Sequence, residues 1–124
     1  MRARRLYYAL DLKSDTALIA QYEAWHRPER IGPEIPAFLR AAGILELEMF
    51  RCGDRLVMAM EVTEDFSPSR YSELIKTNDR MLAWEELMWT FQKPLPFAAP
   101  GEKWVPMTRI FSFESALATW EPLP

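Results

Sequence analysis

Runs of alternating and helically spaced apolar residues divide the chain into segments of two kinds. Arg5 to Leu12 (RLYYALDL) is rich in aromatic and aliphatic residues without helical spacing and predicts a first strand. Lys13-Ser14-Asp15 breaks that pattern and offers Ser14 or Asp15 as an N-cap. Leu18, Ile19, Tyr22 and His26 then recur at helical spacing, predicting a helix over Thr16 to Arg27 that Pro28 ends or bends. Pro33 suits the first position of a second helix, Ile35, Phe38, Leu39 and Ala42 form its apolar face, and Gly43 closes it. Ile44 to Arg51 alternates apolar and polar residues, Cys52-Gly53-Asp54 makes a tight turn, and Arg55 to Val62 is the antiparallel partner. After a loop over Thr63 to Pro68, a short helix is expected near Ser69 to Ile75. A stronger one runs from Asp79 to Phe91, with Met81, Trp84, Leu87, Met88 and Phe91 on one stripe. Lys93 to Gly101 holds three prolines and reads as an irregular loop; Trp104 to Phe113 reads as the last strand, its start displaced to an edge or bulge by Pro106.

The order is β, α with a second short α, β, β, α, β. That is the α+β ferredoxin-like plan βαββαβ, an antiparallel four-stranded sheet with helices on one face. One domain is expected over residues 1–113, followed by a tail over 114–124 that is free to lie across a neighbour. The uncovered sheet face is expected to carry Leu, Met and Phe. A homodimer that stacks two such faces into a dimeric α/β barrel would bury that apolar area.

Composition narrows the partners. A chain of 124 residues is one domain with enough core to fold unaided. A formal charge of −3 gives no field to recruit nucleic acid or an anionic membrane. Cys52 stands alone, so neither an internal disulfide nor a thiolate metal cluster is expected. With no apolar leader and no stretch of 18 apolar residues, a cytoplasmic protein without membrane spans is expected. Five Trp, four Tyr and seven Phe suit a core, an interface or a sugar-stacking site equally well.

No glycine-rich phosphate loop, zinc-ligand cluster or serine elbow is present, and neither metal nor cofactor is expected. The single histidine, His26, is therefore the most informative residue. A lone helical His is commonly structural, but Tyr22 lies one turn before it and projects toward the same space. His-Arg-Pro also turns the chain at the helix end, where a cleft can open. His is the side chain able to give and take a proton near neutral pH. Trp84, Glu85, Met88 and Trp89 form a second constellation, although such a stripe is often core. Glu46 and Glu48 share one strand face and read chiefly as a solvated pair.

The segment Tyr22-Glu23-Ala24-Trp25-His26-Arg27-Pro28, followed by Gly32-Pro33-Glu34, resembles the L-rhamnose mutarotase family. The likeness continues through Leu56 to Val62, Trp84 to Trp89, Pro94-Leu95-Pro96, Pro100 to Trp104 and Arg109-Ile110-Phe111, and so spans almost the whole chain. The resemblance implies a dimeric ferredoxin-like fold and cofactor-free interconversion of sugar anomers, with L-rhamnose first and L-fucose next as substrate. It assigns the proton-donor role to His26, substrate binding to Tyr22, and a pocket-lining pair to Trp84 and Glu85. Two positions depart from the pattern. Gly32 stands where a Trp is common, and Leu47 aligns with a sugar-contacting Tyr of some members. Fewer aromatic walls imply a different sugar, and members with a similar ending resemble proteins assigned to L-fucose.

Opening a hemiacetal ring takes a proton from O1 and delivers one to the ring oxygen, which a positioned acid and base can do without metal or redox partner. On this reading His26 protonates the ring oxygen, Tyr22, Glu85, a partner-chain residue or water takes the O1 proton, and Trp84 stacks on the sugar. Met88 or Leu47 receives the 6-methyl group. Two other classes share these features: a dimeric α/β-barrel monooxygenase or heme-binding protein with His26 as axial ligand, and a non-catalytic sugar-binding module. A Soret band would favour the first, and sugar binding without anomer exchange the second.

Overall fold

The computed structural model describes residues 3–119. Strand β1 (Arg4–Leu12) leads to α1 (Thr16–Trp25), where the Asp15 side chain accepts from the Leu18 N–H as N-cap. Pro28 starts a separate single turn, α2 (Pro28–Ile31), and α3 (Glu34–Ala41) follows with Pro33 one residue earlier than expected, at the cap. Gly43 closes α3 at φ +101°, where a side chain would be strained and would also crowd the Thr63 hydroxyl. Strands β2 (Ile44–Cys52) and β3 (Arg55–Val62) form the expected hairpin, turned by Gly53 at φ +62°. Helices α4 (Pro68–Lys76) and α5 (Asp79–Trp89) are capped by Ser67 and Asn78, whose side chains accept from the backbone N–H groups of Arg70 and Met81. No described helix is long and apolar enough to cross a membrane.

The sheet runs β2-β3-β1, and the position beyond β1 is shared by two fragments. Here the structure corrects the expectation of one strand over Trp104 to Phe113. β4 (Gln92–Lys93) pairs with Leu12 and Asp11, and β5 (Val105–Pro106) pairs with Ala9 and Tyr8. Pro94, Pro96, Pro100 and Pro106 lack the N–H a continuous ladder needs, so the chain leaves the sheet after Lys93 and touches it again only briefly. Beyond the Met107 N–H, which donates to the Tyr7 carbonyl, no further pairing with β1 follows, and α6 (Phe113–Thr119) begins at the residue expected to end the strand. The tail expected over 114–124 thus starts inside a helix, and its last five residues lie outside those described. The path is still the ferredoxin-like one: an antiparallel sheet with β1 central, and helices on one face.

Register decides which side chains face those helices. Leu10, Leu12, Leu56, Met60, Val62 and Ile44 are buried there with Tyr22, Ile35, Met81, Trp84, Met88 and Phe91. The opposite face therefore differs from the Leu, Met and Phe surface expected. Tyr7 pairs with Ala59, Ala9 with Val57, and Val57 with Phe50, all with charged Arg5, Glu61, Glu46 and Glu48 around them. The β-bulge between Ile44 and Glu46 sets this phase, turning Leu47 and Met49 toward the helices.

Candidate active site

Tyr22 and His26 reach the helix side of the sheet from the end of α1, which the chain leaves abruptly because Pro28 cannot continue it. His26 is the C-cap. Its own N–H turns back to the Glu23 carbonyl at 3.1 Å, which leaves the Tyr22 carbonyl for the imidazole. His26 Nδ1 lies 2.7 Å from that oxygen, close enough that the ring donates Nδ1–H and keeps its lone pair at Nε2. Burial lowers the His26 pKa below its ordinary value, the backbone hydrogen bond opposing this only in part, so the neutral ring is favoured.

Around this imidazole the rings interlock. The Tyr22 ring lies 4.6 Å from His26 in a tilted arrangement, and Trp84 presents itself edge-on at 5.3 Å. Trp84 comes from α5, one helical step from Glu85, whose Oε2 receives a 2.8 Å hydrogen bond from Lys103 Nζ. Lys103 also sits 5.2 Å over the Trp89 ring, so one ammonium binds the proline-rich segment to α5 by charge and by cation–π attraction. Burial, with Glu85's charge as a smaller cause, raises the Tyr22 pKa against the opposing hydrogen bond from Gln92, so the phenol stays protonated.

His26, Tyr22, Leu47, Trp84 and Glu85 all line one cavity of about 200 Å³. That is below the roughly 300–1,000 Å³ of pockets for drug-sized ligands. Leu47 stands on β2 across from the helices, and Met88 lines the same space from α5 while also belonging to the core. A larger depression of about 710 Å³ shares Tyr22, His26 and Leu47 and runs past Arg40 and Glu46 to the surface. Glu48, by contrast, is exposed and takes no part. Sequence reasoning did not single out Tyr71, Gln92 and Trp104 in the cavity wall, nor Lys103, which holds Glu85 there. Gln92 and Trp104 flank the interruption of the last strand, so no periodic pattern could have singled them out. Lys103 carried a signal, as a cation between two aromatic segments, but nothing local told it where to fold.

The architecture has counterparts among solved structures. An L-rhamnose mutarotase from Formosa agariphila superposes with a TM-score of 0.64 at 18% identity, over 89% of this chain and 98% of the other. Tetracenomycin F2 cyclase from Streptomyces glaucescens does so with a TM-score of 0.60 at 14% identity, over 88% and 97%. Two such distant neighbours establish the fold and leave the chemistry open. Sequence narrows it. Residues 5–113 match the L-rhamnose mutarotase family. The chain is 54% identical over 118 residues to an L-fucose mutarotase of Xanthomonas campestris, spanning 95% of this chain and 94% of that protein. It is also 32% identical over 114 residues to a UPF0734 protein of Dictyostelium discoideum, spanning 86% of each. The protein is therefore an isomerase that acts on the anomers of 6-deoxy-L-hexoses. It belongs to the L-rhamnose mutarotase family.

Proposed function

We propose that this chain interconverts the α and β anomers of L-fucose in preference to L-rhamnose, with His26 as the proton shuttle. The observation that carries the proton chemistry is a neutral imidazole, anchored through Nδ1, in the wall of a cavity of monosaccharide size. L-Fucose is favoured by the 54% identity to an L-fucose mutarotase, and by the family resemblance, which sets Leu47 against a sugar-contacting Tyr of some members.

Nε2 takes the O1 proton as the C1–O5 bond breaks and the C1 carbonyl forms. The resulting imidazolium returns that proton to O5, which carries the electron pair of the broken bond. The aldehyde then rotates about C1–C2, and the same steps in reverse close the ring on its other face. O1 and O5 share C1, so one nitrogen serves both oxygens with a small movement, and no proton is gained or lost overall. The resting state differs in one respect from a His26 that begins as the acid: a depressed pKa makes it the base first. Tyr22, Leu47, Trp84 and Glu85 bind the sugar. The protonated Tyr22 hydroxyl donates, the Glu85 carboxylate accepts from ring hydroxyls, and the Trp84 ring packs against an apolar sugar face.

The functional unit in this reading is a cytoplasmic homodimer formed through the open sheet face, where Tyr7 and Phe50 remain substantially exposed. Met107, Ile110 and Phe111 of the segment after β5 are exposed as well.

Saturation-difference NMR on the anomeric protons tests the activity. Accelerated exchange for L-fucose, lost in His26→Ala, is the expected result. Exchange that survives His26→Ala overturns the assignment of His26, and faster exchange of L-rhamnose overturns the sugar preference.

A further inference from the structure

Gln92 has no part in the mechanism above, yet it is the most anomalous polar group in the cavity wall. It opens β4, where its backbone pairs with Leu12, and its side chain is only 4% exposed. Nε2 donates to the Tyr22 hydroxyl at 3.1 Å. Oε1 is buried without a hydrogen-bond partner among the described residues. Turning the amide over exchanges the two atoms and leaves the same end of the group unpaired. Buried side-chain polar atoms almost always find a partner, and a Met or Leu would fill this space without a half-paired amide, at the loss of one donor to the Tyr22 hydroxyl. The exception calls for a physical reason, and its location offers one, since Gln92 lines the cavity together with His26, Trp84 and Glu85.

We infer that Gln92 is a specificity-determining residue: the unpaired end of its amide binds a ring hydroxyl of the sugar, and that contact selects among 6-deoxy-L-hexoses. L-Fucose and L-rhamnose differ in configuration at C2 and C4. A hydroxyl that meets the amide in one sugar points away in the other, leaving the buried group unpaired again. A site built around a hydrogen bond discriminates strongly against a ligand that cannot make it. Gln92 also directs its neighbour. By donating to the Tyr22 oxygen it leaves the phenol hydrogen to point elsewhere, so amide and phenol present a fixed donor–acceptor pair.

This inference rests on the mutarotase reading of the cavity, and the experiment separates the two. Wild type, Gln92→Met and Gln92→Asn are compared on L-fucose and L-rhamnose by anomeric-exchange NMR, and their sugar affinities by tryptophan fluorescence. Gln92→Met keeps side-chain volume and removes both polar atoms; Gln92→Asn keeps the amide but withdraws it, and serves if the first variant does not fold. In either variant the KM for L-fucose is expected to rise roughly 10- to 100-fold, the range set by one buried hydrogen bond. The kcat should stay within about threefold, so the fucose-to-rhamnose ratio of kcat/KM falls by nearly the whole rise in KM. A merely structural Gln92 would weaken both sugars equally or lower kcat, and either result overturns the inference. Wild type that exchanges no sugar sinks the mutarotase reading. Fluorescence then still judges Gln92, because unchanged L-fucose affinity in the variants, or no binding by wild type, overturns it.

Discussion

His26 Nδ1 and the Tyr22 carbonyl oxygen, 2.7 Å apart across the last turn of α1, fix both the tautomer and the direction of the imidazole. A helix end leaves carbonyls without intrahelical donors, and here a side chain takes the place of a backbone N–H. The same bond that completes the helix leaves Nε2 as the nitrogen with chemistry to spare. Replacing His26 with Gln or Ala is expected to lower kcat by ~10²–10⁴-fold, the usual range for a general acid–base group. Sugar affinity measured by fluorescence should change far less. A large loss of affinity with kcat preserved would make His26 a binding residue instead.

The depressed His26 pKa gives a signed pH dependence. Activity that needs neutral Nε2 is constant above that pKa and falls as pH drops through it, on the acid side of the ordinary value near 6.5. Stability follows the same sign, because the unfolded chain binds a proton at higher pH than the folded one. The contribution is full above about 6.5 and is lost as pH falls through the folded-state pKa. His26→Gln should therefore show a smaller drop in Tm than wild type between neutral pH and pH 5. NMR titration of the single imidazole checks the cause directly. A midpoint above 6.5 would reverse the sign for stability and move the acid limb of the activity profile above 6.5.

Tyr22 joins structure and site, since its ring is buried in the core and its hydroxyl receives the Gln92 amide. Tyr22→Phe keeps the ring and strands a buried N–H, which costs about 1–3 kcal/mol. Thermal unfolding should register that as a fall in Tm of several degrees. The Tyr22 pKa is raised, so the phenol acts as a donor and not as a base, and the pH profile of kcat should keep its shape in Tyr22→Phe.

Much of this arrangement was legible in the residues themselves. Tyr22 and His26 share a helix face by spacing alone, and the Pro28 stop explains why that face ends in a cavity. The β2–β3 hairpin follows from alternation around Cys52-Gly53-Asp54, and α5 from the stripe Met81, Trp84 and Met88. The last strand was not legible, because WVPMTRIFSF has a strand's composition while its pairing is decided by β1, by Pro94, Pro96 and Pro100 upstream and by Pro106 within it. The open sheet face was misread for a related reason: the bulge near Glu46 sets which alternate residues of β2 face the helices. Gln92 enters the cavity wall, and Lys103 reaches Glu85, only through that tertiary path.

The charged and apolar residues of the open sheet face give the dimer a simple check. Sedimentation should return a mass of about twice the 14.5 kDa chain. Val57 lies at the centre of that face, paired with both Ala9 and Phe50. Val57→Glu would bring a charge into any stacked interface, and the protein should become monomeric while its far-UV CD is retained. A monomeric wild type would remove the sheet-face homodimer.

Glu85 and Lys103 decide whether His26 works alone. Their 2.8 Å contact is partly exposed, with side-chain exposures of 34% and 24%, so it contributes modestly to stability. Its larger effect is geometric: Lys103 holds one carboxylate oxygen, which orients the Glu85 group along the cavity wall beside Trp84. If Glu85 only binds hydroxyls, Glu85→Gln keeps the shape, loses a charge-assisted acceptor, and raises KM about tenfold with kcat within about threefold. Lys103→Met should then resemble it in KM, because the unrestrained carboxylate no longer meets the sugar in a fixed pose. If instead Glu85 takes the O1 proton while His26 serves O5, kcat falls ~10²-fold or more in Glu85→Gln and the acid limb of the pH profile changes. Stopped anomeric exchange of L-fucose in Glu85→Gln, with fluorescence-detected binding intact, would replace the single shuttle by a two-residue relay.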